Sequence, residues 1–288
     1  MGRRISNIKK FVRKVKSLVF TSVRPFSSKF SKKTYTQQQH IAINCLKIRF
    51  NEDYRDIEDI IKEMPEIQKE LNLSLVPHFT TLQKAFQRLK SVILNLLILL
   101  SARLTPFSGN AGIDATGFQR GFASHHYLKR CKIRIKSQKT TFLVDTVNRI
   151  ILCVHLTTGR KHDTKIAPIL VGRGLKNFLI KLLTGDKGYD DEKFRMLLRN
   201  NRIIPVIKYR IFDPAYSYIN DVVDMLGYSQ RVHNETVNSI IKRKYGDKLR
   251  SRKWFTQFKE TKFKVIVYNI ERNLFVFFIR AGFISDFL

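Results

Sequence analysis

The sequence predicts an α/β protein in which a mixed β-sheet flanked by helices follows a small all-α region. Between residues 35 and 104 the apolar residues recur at helical spacing. Beyond residue 112, short runs of β-branched and aromatic residues alternate with helical segments, which is typical of a sheet with helices on its faces. The intervening segment 104–112 concentrates Pro, Ser, Gly and Asn. We therefore predict an N-terminal arm at 1–34, a helical region at 35–104 and a sheet domain at 105–288.

The first 34 residues contain many Lys and Arg, several Ser and no acidic residue, and their apolar residues show weak helical periodicity. This composition predicts a basic arm that binds nucleic acid, although an amphipathic targeting sequence has a similar composition. We favour the nucleic-acid arm because the rest of the chain is also basic.

The helical region predicts helices around 37–49 and 53–63, followed by a third that begins at a capping box formed by Thr80 and Gln83. The third helix would bury Leu82, Phe86 and Leu89. Its outer face would carry side chains suited to reading the major groove of DNA, namely Gln83, Lys84, Gln87 and Arg88. A bundle helix with a solvated polar face fits these residues equally well.

The sheet domain predicts elements in the order strand, hairpin, helix, strand, helix, strand, helix. The first strand ends at Ile113-Asp114. The others follow at 141–147 and 150–156 (a hairpin), 164–171 (helix), 178–183 (strand), 191–199 (helix), 203–207 (strand) and 228–242 (helix).

The charge of the chain indicates an anionic partner. There are 54 Lys and Arg residues against 23 Asp and Glu, a formal net charge of +31. DNA or RNA is the expected partner, since each cation placed on a phosphate releases counterions, and a membrane surface is a weaker alternative. The longest apolar run, 92–100, is too short to span a bilayer. Three widely spaced cysteines indicate reduced thiols, so we expect a cytoplasmic, nucleoid-associated protein.

The run 228–242 places four chemically useful residues on one predicted helical face. At roughly 100° per residue, Tyr228, Arg231, Glu235 and Lys242 fall within about 60° of one another. The opposite side carries Val237, Ile240 and Ile241, so the helix can bury that side and present its charged face to nucleic acid.

Three carboxylates could meet in this layout. Asp114 lies at the exit of the first predicted strand and Asp186 just past the fourth, so both emerge at one sheet edge if those strands are neighbours. Glu235 could complete the cluster from the late helix. Because converging carboxylates repel one another, we expect divalent metal between them. Oxygen-only ligands favour Mg²⁺ or Mn²⁺, and two such ions catalyse phosphoryl transfer on DNA.

The sequence resembles the DDE transposases of prokaryotic insertion sequences, in the subgroup marked by Tyr, two residues, Arg, three residues, Glu, six residues and Lys. The matching residues are Tyr228, Arg231, Glu235 and Lys242. Ile-Asp-Ala-Thr-Gly-Phe around Asp114 and Gly-Asp-Lys-Gly-Tyr-Asp around Asp186 also match in the right order. The resemblance covers about residues 105–275 and, more loosely, 35–104.

The resemblance implies a ribonuclease H-like catalytic domain, two Mg²⁺ ions, and cut-and-paste movement of DNA between terminal inverted repeats by a homodimer or higher synaptic oligomer. It implies that Asp114, Asp186 and Glu235 are catalytic metal ligands. Arg231 and Lys242 would hold phosphates and Tyr228 would contact the DNA backbone. Two alternatives stay open: an inactive or regulatory DNA-binding derivative of the fold, and a metal-dependent nuclease that only hydrolyses.

Overall fold

The computed structural model describes residues 6–120, 130, 137–158, 161–210 and 215–285. It divides into two compact units. The first, the helical unit, comprises residues 1–104, 244–246 and 253–288, and the second, the sheet unit, comprises 105–243 and 247–252.

Six helices precede the sheet in the described chain. They are α1 (Asn7–Ser22), α2 (Gln37–Phe50), α3 (Tyr54–Lys62), α4 (Pro65–Glu70), α5 (Phe79–Arg88) and α6 (Ser91–Ala102). The capping box lies at α2, where Thr36 and Gln39 cap each other. Helix α5 is capped instead by His78, whose side chain accepts from the Thr80 backbone N–H, so the predicted box at Thr80 was wrong.

Helix α1 occupies about half of the predicted basic arm, 16 of its 34 residues. Its apolar residues return every three or four positions and are buried against α2. On its other side Lys9 and Arg13 form ion pairs with Glu66 and Glu70 at 3.0 and 3.1 Å. Residues 7–22 are therefore a packed element of the helical unit, which differs from the separate arm that the sequence predicts.

The sheet unit contains five described strands and four helices. In chain order these are β1 (Asn110–Gln119), β2 (Ser137–Asp145), β3 (Ile150–Thr158), α7 (Asp163–Leu175), β4 (Leu182–Gly185), α8 (Glu192–Asn200), β5 (Ile204–Ile207), α9 (Ala215–Met225) and α10 (Val232–Tyr245). Short 3₁₀ turns occupy Lys187–Tyr189 and Tyr228–Arg231. The last helix of the described chain, α11 (Trp254–Ser285), belongs to the helical unit.

The strand order is β3-β2-β1-β4-β5. The pairs β1–β2 and β2–β3 are antiparallel, whereas β1–β4 and β4–β5 are parallel. Helix α7 packs on β2 and β3, and α8 packs on β5. This is the ribonuclease H-like mixed sheet flanked by helices, and the predicted fold class is confirmed.

The residues of helix α11 were predicted to belong to the sheet domain, but the helix packs against α1, α2 and α6. Its apolar residues Phe263, Ile266 and Val267 are fully buried. Asn269 donates to the Ser101 hydroxyl at 3.2 Å, and Asn273 donates to the Leu104 carbonyl at 2.8 Å. The predicted domain boundary differs from the observed one because an apolar helix can pack on either unit. Its position in the sequence does not determine which unit it covers.

Within the described ranges, no single helix has both the length and the apolar composition needed to span a membrane. The pair α5 and α6 passes that test only when taken together, and it bends by 89° between them.

Candidate active site at the carboxylate edge of the sheet unit

Asp114 lies on β1 where the parallel pairing with β4 stops. The last register pair is Ile113 with Gly185, and β1 continues beyond it to Gln119 alongside β2. The prediction that β1 ends at Asp114 was therefore wrong, because the antiparallel partner extends the strand. The Asp114 carboxylate accepts from the Ala115 N–H at 2.9 Å and from Asn238 Nδ2 at 2.7 Å.

Asp186 directly follows β4, in the position next to Asp114 that the strand register predicts. It caps the turn Lys187–Tyr189 by accepting from the Gly188 N–H at 2.8 Å. A side chain at Gly188 would place its Cβ 2.9 Å from the Asp186 Oδ1 atom. The backbone of this turn therefore fixes one carboxylate oxygen of Asp186.

Helix α10 brings Glu235 to the same edge through a close contact between a glycine and an asparagine. An added Cβ at Gly112 would lie 2.4 Å from Asn234 Nδ2, so any other residue at this position would force the Asn234 side chain to shift. Asn234 is buried, and neither of its amide atoms has a hydrogen-bond partner. Glu235, the next residue, lies in the first turn of α10 with its side chain exposed.

Asp186 and Glu235 act electrostatically on Asp114. Burial is the main factor that raises the pKa of Asp114, to about 6, and the charges of Asp186 and Glu235 raise it further. The Ala115 N–H and the Arg231 guanidinium act in the opposite direction. Without a cation, the protonated form of Asp114 is therefore favoured at mildly acidic pH, because loss of its proton adds a third negative charge to a half-buried edge.

Arg231 pairs with Glu235 at 2.6 Å, one helical turn away. Tyr228 and Arg231 belong to a 3₁₀ turn that precedes α10, and the α-helix begins only at Val232. The four signature residues therefore do not lie on one continuous α-helix, although the sequence predicted that they do. The turn follows Gly227, whose φ of +93° breaks the helical path. Two cations flank the Tyr228 ring: Lys208 Nζ lies 4.8 Å from its centroid and the Arg231 guanidinium carbon 5.7 Å.

Lys242 lies seven residues beyond Glu235, two turns along α10 and on nearly the same side. Its ammonium group forms no ion pair with a described residue. It can therefore bind a phosphate without first breaking an internal contact.

The donor chemistry at this edge fits Mg²⁺ or Mn²⁺, since all three acidic side chains offer oxygen and two of them repel Asp114. Across the described ranges, however, no three His, Cys, Asp or Glu side chains lie close enough to hold a metal ion. Glu235 is directed to Arg231 instead. The three residues fit a metal ion by the chemistry of their oxygen donors.

The predicted recognition residues lie on the exposed side of α5, while Leu82 and Phe86 are buried. The exposed side chains are Gln83, Lys84, Gln87 and Arg88. The helical spacing predicted this division between buried and exposed residues correctly.

Sequence reasoning missed two asparagines of the site. Asn238 orients Asp114, and its own Oδ1 is buried without a partner. Asn234 packs on Gly112. Their position on α10 was the signal, since Asn238 lies three residues after Glu235 and Asn234 one residue before it. An asparagine this close to Glu235 on a helix is a candidate for contact with Asp114.

Comparisons with known proteins show the family and the fold of the chain. Residues 112–270 match the family model described as a transposase DDE domain, which spans more than half of the chain. A search of curated protein sequences found no match to this chain. The fold is similar to the piggyBac transposase in a cryo-EM structure of its synaptic complex with hairpin DNA, at 9% identity and a TM-score of 0.53, covering 91% of this chain and 71% of that one. The chain belongs to the transposase DDE domain family.

Proposed function

We propose that this protein is a DNA transposase that cleaves DNA and transfers the strands at the terminal inverted repeats of a prokaryotic insertion sequence. Asp114, Asp186 and Glu235 are the proposed catalytic metal ligands. The observation that carries the proposal is geometric: the β1–β4 register places Asp186 beside Asp114, and the packing of Asn234 on Gly112 brings the neighbouring Glu235 to the same strand. Mg²⁺ is the proposed ion, two per site, with Mn²⁺ as a substitute.

The metal ions, when bound, would activate a water or a 3′ hydroxyl and stabilise the leaving oxygen of a phosphodiester. The residues of this chain do the rest. Asn238 holds one Asp114 oxygen, and the Gly188 N–H holds one Asp186 oxygen. This leaves the remaining lone pairs of both carboxylates for a cation. Preorganised ligands of this kind bind metal without first reordering their side chains.

Arg231, Lys242 and Tyr228 are the proposed contacts to the DNA backbone. A phosphate that binds Arg231 competes directly with Glu235 for the guanidinium. Arrival of DNA would therefore release Glu235 towards the two aspartates. The spacing of these four residues supports membership of the Tyr-Arg-Glu-Lys subgroup.

The helical unit is the proposed reader of the inverted repeats, through α5. We expect Arg88→Ala to reduce the preference for element ends over random duplex by about 1–3 kcal/mol of binding free energy. The reason is that a guanidinium reads guanine with two hydrogen bonds. Competition binding at fixed salt measures this. An equal loss on random duplex would show that Arg88 contacts phosphate alone.

The protein is proposed to act as a homodimer or higher synaptic oligomer on double-stranded DNA, in the cytoplasm on the nucleoid. Bringing two element ends together requires at least two DNA-bound copies. Light scattering of the protein with end-containing duplexes measures the stoichiometry.

Purified protein with Mg²⁺ and labelled element ends tests the activity. Wild type should nick at the ends, and Asp186→Ala should not, while both bind DNA equally. Asp221→Ala removes an exposed acidic residue of α9 in the same unit and should retain activity. If wild type and Asp186→Ala nick equally little, the active enzyme is refuted and the regulatory derivative stands.

A hydrolytic nuclease is the second candidate, since water and a 3′ hydroxyl use the same metals. The contact between Arg231 and Glu235 does not distinguish the two. Covalent donor–target products, detected by a size shift on denaturing gels, establish strand transfer. Nicking without such products would favour hydrolysis.

Asn238→Ala should weaken Mn²⁺ binding by about 10–100-fold, because the loss of a partner that orients a ligand costs that much at metal sites. Titration calorimetry measures the affinity directly. Asn220→Ala is the matched control: Asn220 is also a buried amide, but it bonds to the backbone of Tyr209. Equal losses in the two variants would indicate a general structural effect.

A further inference from the structure

A cleft of about 700 Å³ opens in the helical unit. Its walls are the segment 22–35, the facing residues of α2 and α5, and the beginning of α6. Ligand pockets in proteins commonly measure ~300–1,000 Å³. The cleft is therefore large enough for a small organic ligand or for one unit of a polymer.

The rim of the cleft is strongly and exclusively basic. Five cations line it: Arg24, Lys32, Lys84, Arg88 and Lys90. All five are exposed, and none forms an ion pair with a described residue. The lining contains no Asp or Glu. The contrast with Lys9 and Arg13, which pair with glutamates of α4, indicates that the rim is left for an anion.

The interior of the cleft is aromatic. The rings of Tyr35 and His40 meet edge to face, 5.7 Å apart, and Phe26 and Phe86 also line the space. His40 Nδ1 is buried and has no hydrogen-bond partner. Burial lowers the pKa of His40 to about 4, so its imidazole is neutral at pH 7 and adds an uncharged ring to this interior.

The wall formed by the segment after α1 is fixed by hydrogen bonds to α2. Gln38 Nε2 donates to the Val23 carbonyl at 2.6 Å, and the Gln37 N–H donates to the Pro25 carbonyl at 2.6 Å. The capping box of Thr36 and Gln39 anchors the start of α2 beside them. The cleft is therefore formed before any ligand binds, which lowers the cost of binding.

We infer that this cleft binds single-stranded DNA, with one base inserted beside Tyr35 and His40. The neighbouring phosphates would lie on the rim cations outside α5, which are Arg24, Lys32 and Lys90. Aromatic rings next to cations are the usual means of holding unpaired nucleotides without strong sequence preference. A duplex keeps its bases stacked and would reach only the rim. The inference rests on the proposed function for its choice of DNA as the polyanion.

Fluorescence anisotropy of the full chain with a labelled oligothymidine and with a duplex of equal length, in EDTA, tests this. Tyr35→Ala should weaken oligothymidine binding by about tenfold and duplex binding by less than about twofold. Ala85→Trp should do the same by filling the cleft without removing a charge, since Ala85 lines it from α5. Tyr218→Ala, an exposed tyrosine of the sheet unit, is the matched control and should change neither.

The rim is tested by salt dependence. Lys32→Ala should reduce the slope of log affinity against log salt on oligothymidine by about 0.7, the value for one phosphate contact to a single strand. Lys69→Ala, an exposed lysine of α4 outside the cleft, should leave binding to the cleft unchanged. Melting temperatures of all variants identify any that fail to fold. If Tyr35→Ala fails to fold, Ala85→Trp and Lys32→Ala still test the site.

Equal losses on single-stranded and duplex DNA would overturn the inference, as would undiminished binding of an oligonucleotide with abasic sites. Competition by free thymidine monophosphate at the same nucleotide concentration would reassign the cleft to a free nucleotide. These measurements need no metal, so a wild type that binds the oligonucleotide but never cleaves DNA refutes the proposed function while leaving this site intact.

Discussion

Replacing Asp114 with asparagine is expected to abolish DNA cleavage while leaving DNA binding intact. The carboxamide keeps the shape of the side chain but removes the negative charge, and the cationic surface is unchanged. Loss of a metal ligand removes several kcal/mol of transition-state stabilisation, which corresponds to a rate lower by on the order of a thousandfold. Single-turnover cleavage of labelled element ends measures the rate.

The same substitution predicts a gain in stability of the metal-free protein. The pKa of Asp114 is raised from 3.8 to about 6 in the folded state, so above pH 6 its ionisation disfavours folding, and this penalty disappears as the pH falls from about 6 to 4. Asp114→Asn should therefore melt higher than wild type at pH 7 in EDTA, and the difference should shrink by pH 4. Full cleavage by the variant would remove Asp114 from the catalytic set.

Replacing Gly112 with alanine is expected to destabilise the sheet unit and to displace α10. The new Cβ would lie 2.4 Å from Asn234 Nδ2 and 2.5 Å from Oδ1, so the side chain of Asn234, which is only 1% exposed, would have to shift within the packed interior. Overpacking of this kind costs about 1–3 kcal/mol. Because Glu235 follows Asn234, displacement of α10 should lower both the melting temperature and the cleavage rate.

Two variants make this result specific. Gly117→Ala is the matched control on the same strand, since its Cβ would meet Ser137 Cβ at an ordinary 3.7 Å. Adding Asn234→Ala to Gly112→Ala should restore much of the lost stability by removing the amide that clashes. If Gly112→Ala melts like wild type, then α10 does not depend on this close approach.

The hydrophobic patterns of the sequence predicted most elements of the sheet unit. The β1–β4 register explains why the sequence could place Asp114 and Asp186 at the same edge. Asp114 and Asp186 each follow a residue of the last β1–β4 pair, Ile113 and Gly185. That β1 and β4 are neighbours could only be assumed, because parallel pairing between strands about 70 residues apart leaves no local signal.

Other parts of the site depended on contacts that sequence spacing cannot supply. Tyr228 and Arg231 were placed on an α-helix, but Gly227 at φ +93° starts a tighter turn there. The helical period missed Asn238 because its role is set by a strand 124 residues earlier in the chain. The contact between Arg231 and Glu235, by contrast, is a spacing of four on a helical path and was within reach of the sequence.

The position of α11 affects the order in which the protein can fold during synthesis. The ribosome makes α1–α6 first, yet the helix that buries the faces of α1, α2 and α6 is among the last segments to emerge. At about 5–20 residues per second, those apolar faces stay uncovered while the whole sheet unit is being made. A nascent chain that stops before residue 253 therefore has an incomplete helical unit. Its exposed apolar surface can bind chaperones or other nascent copies.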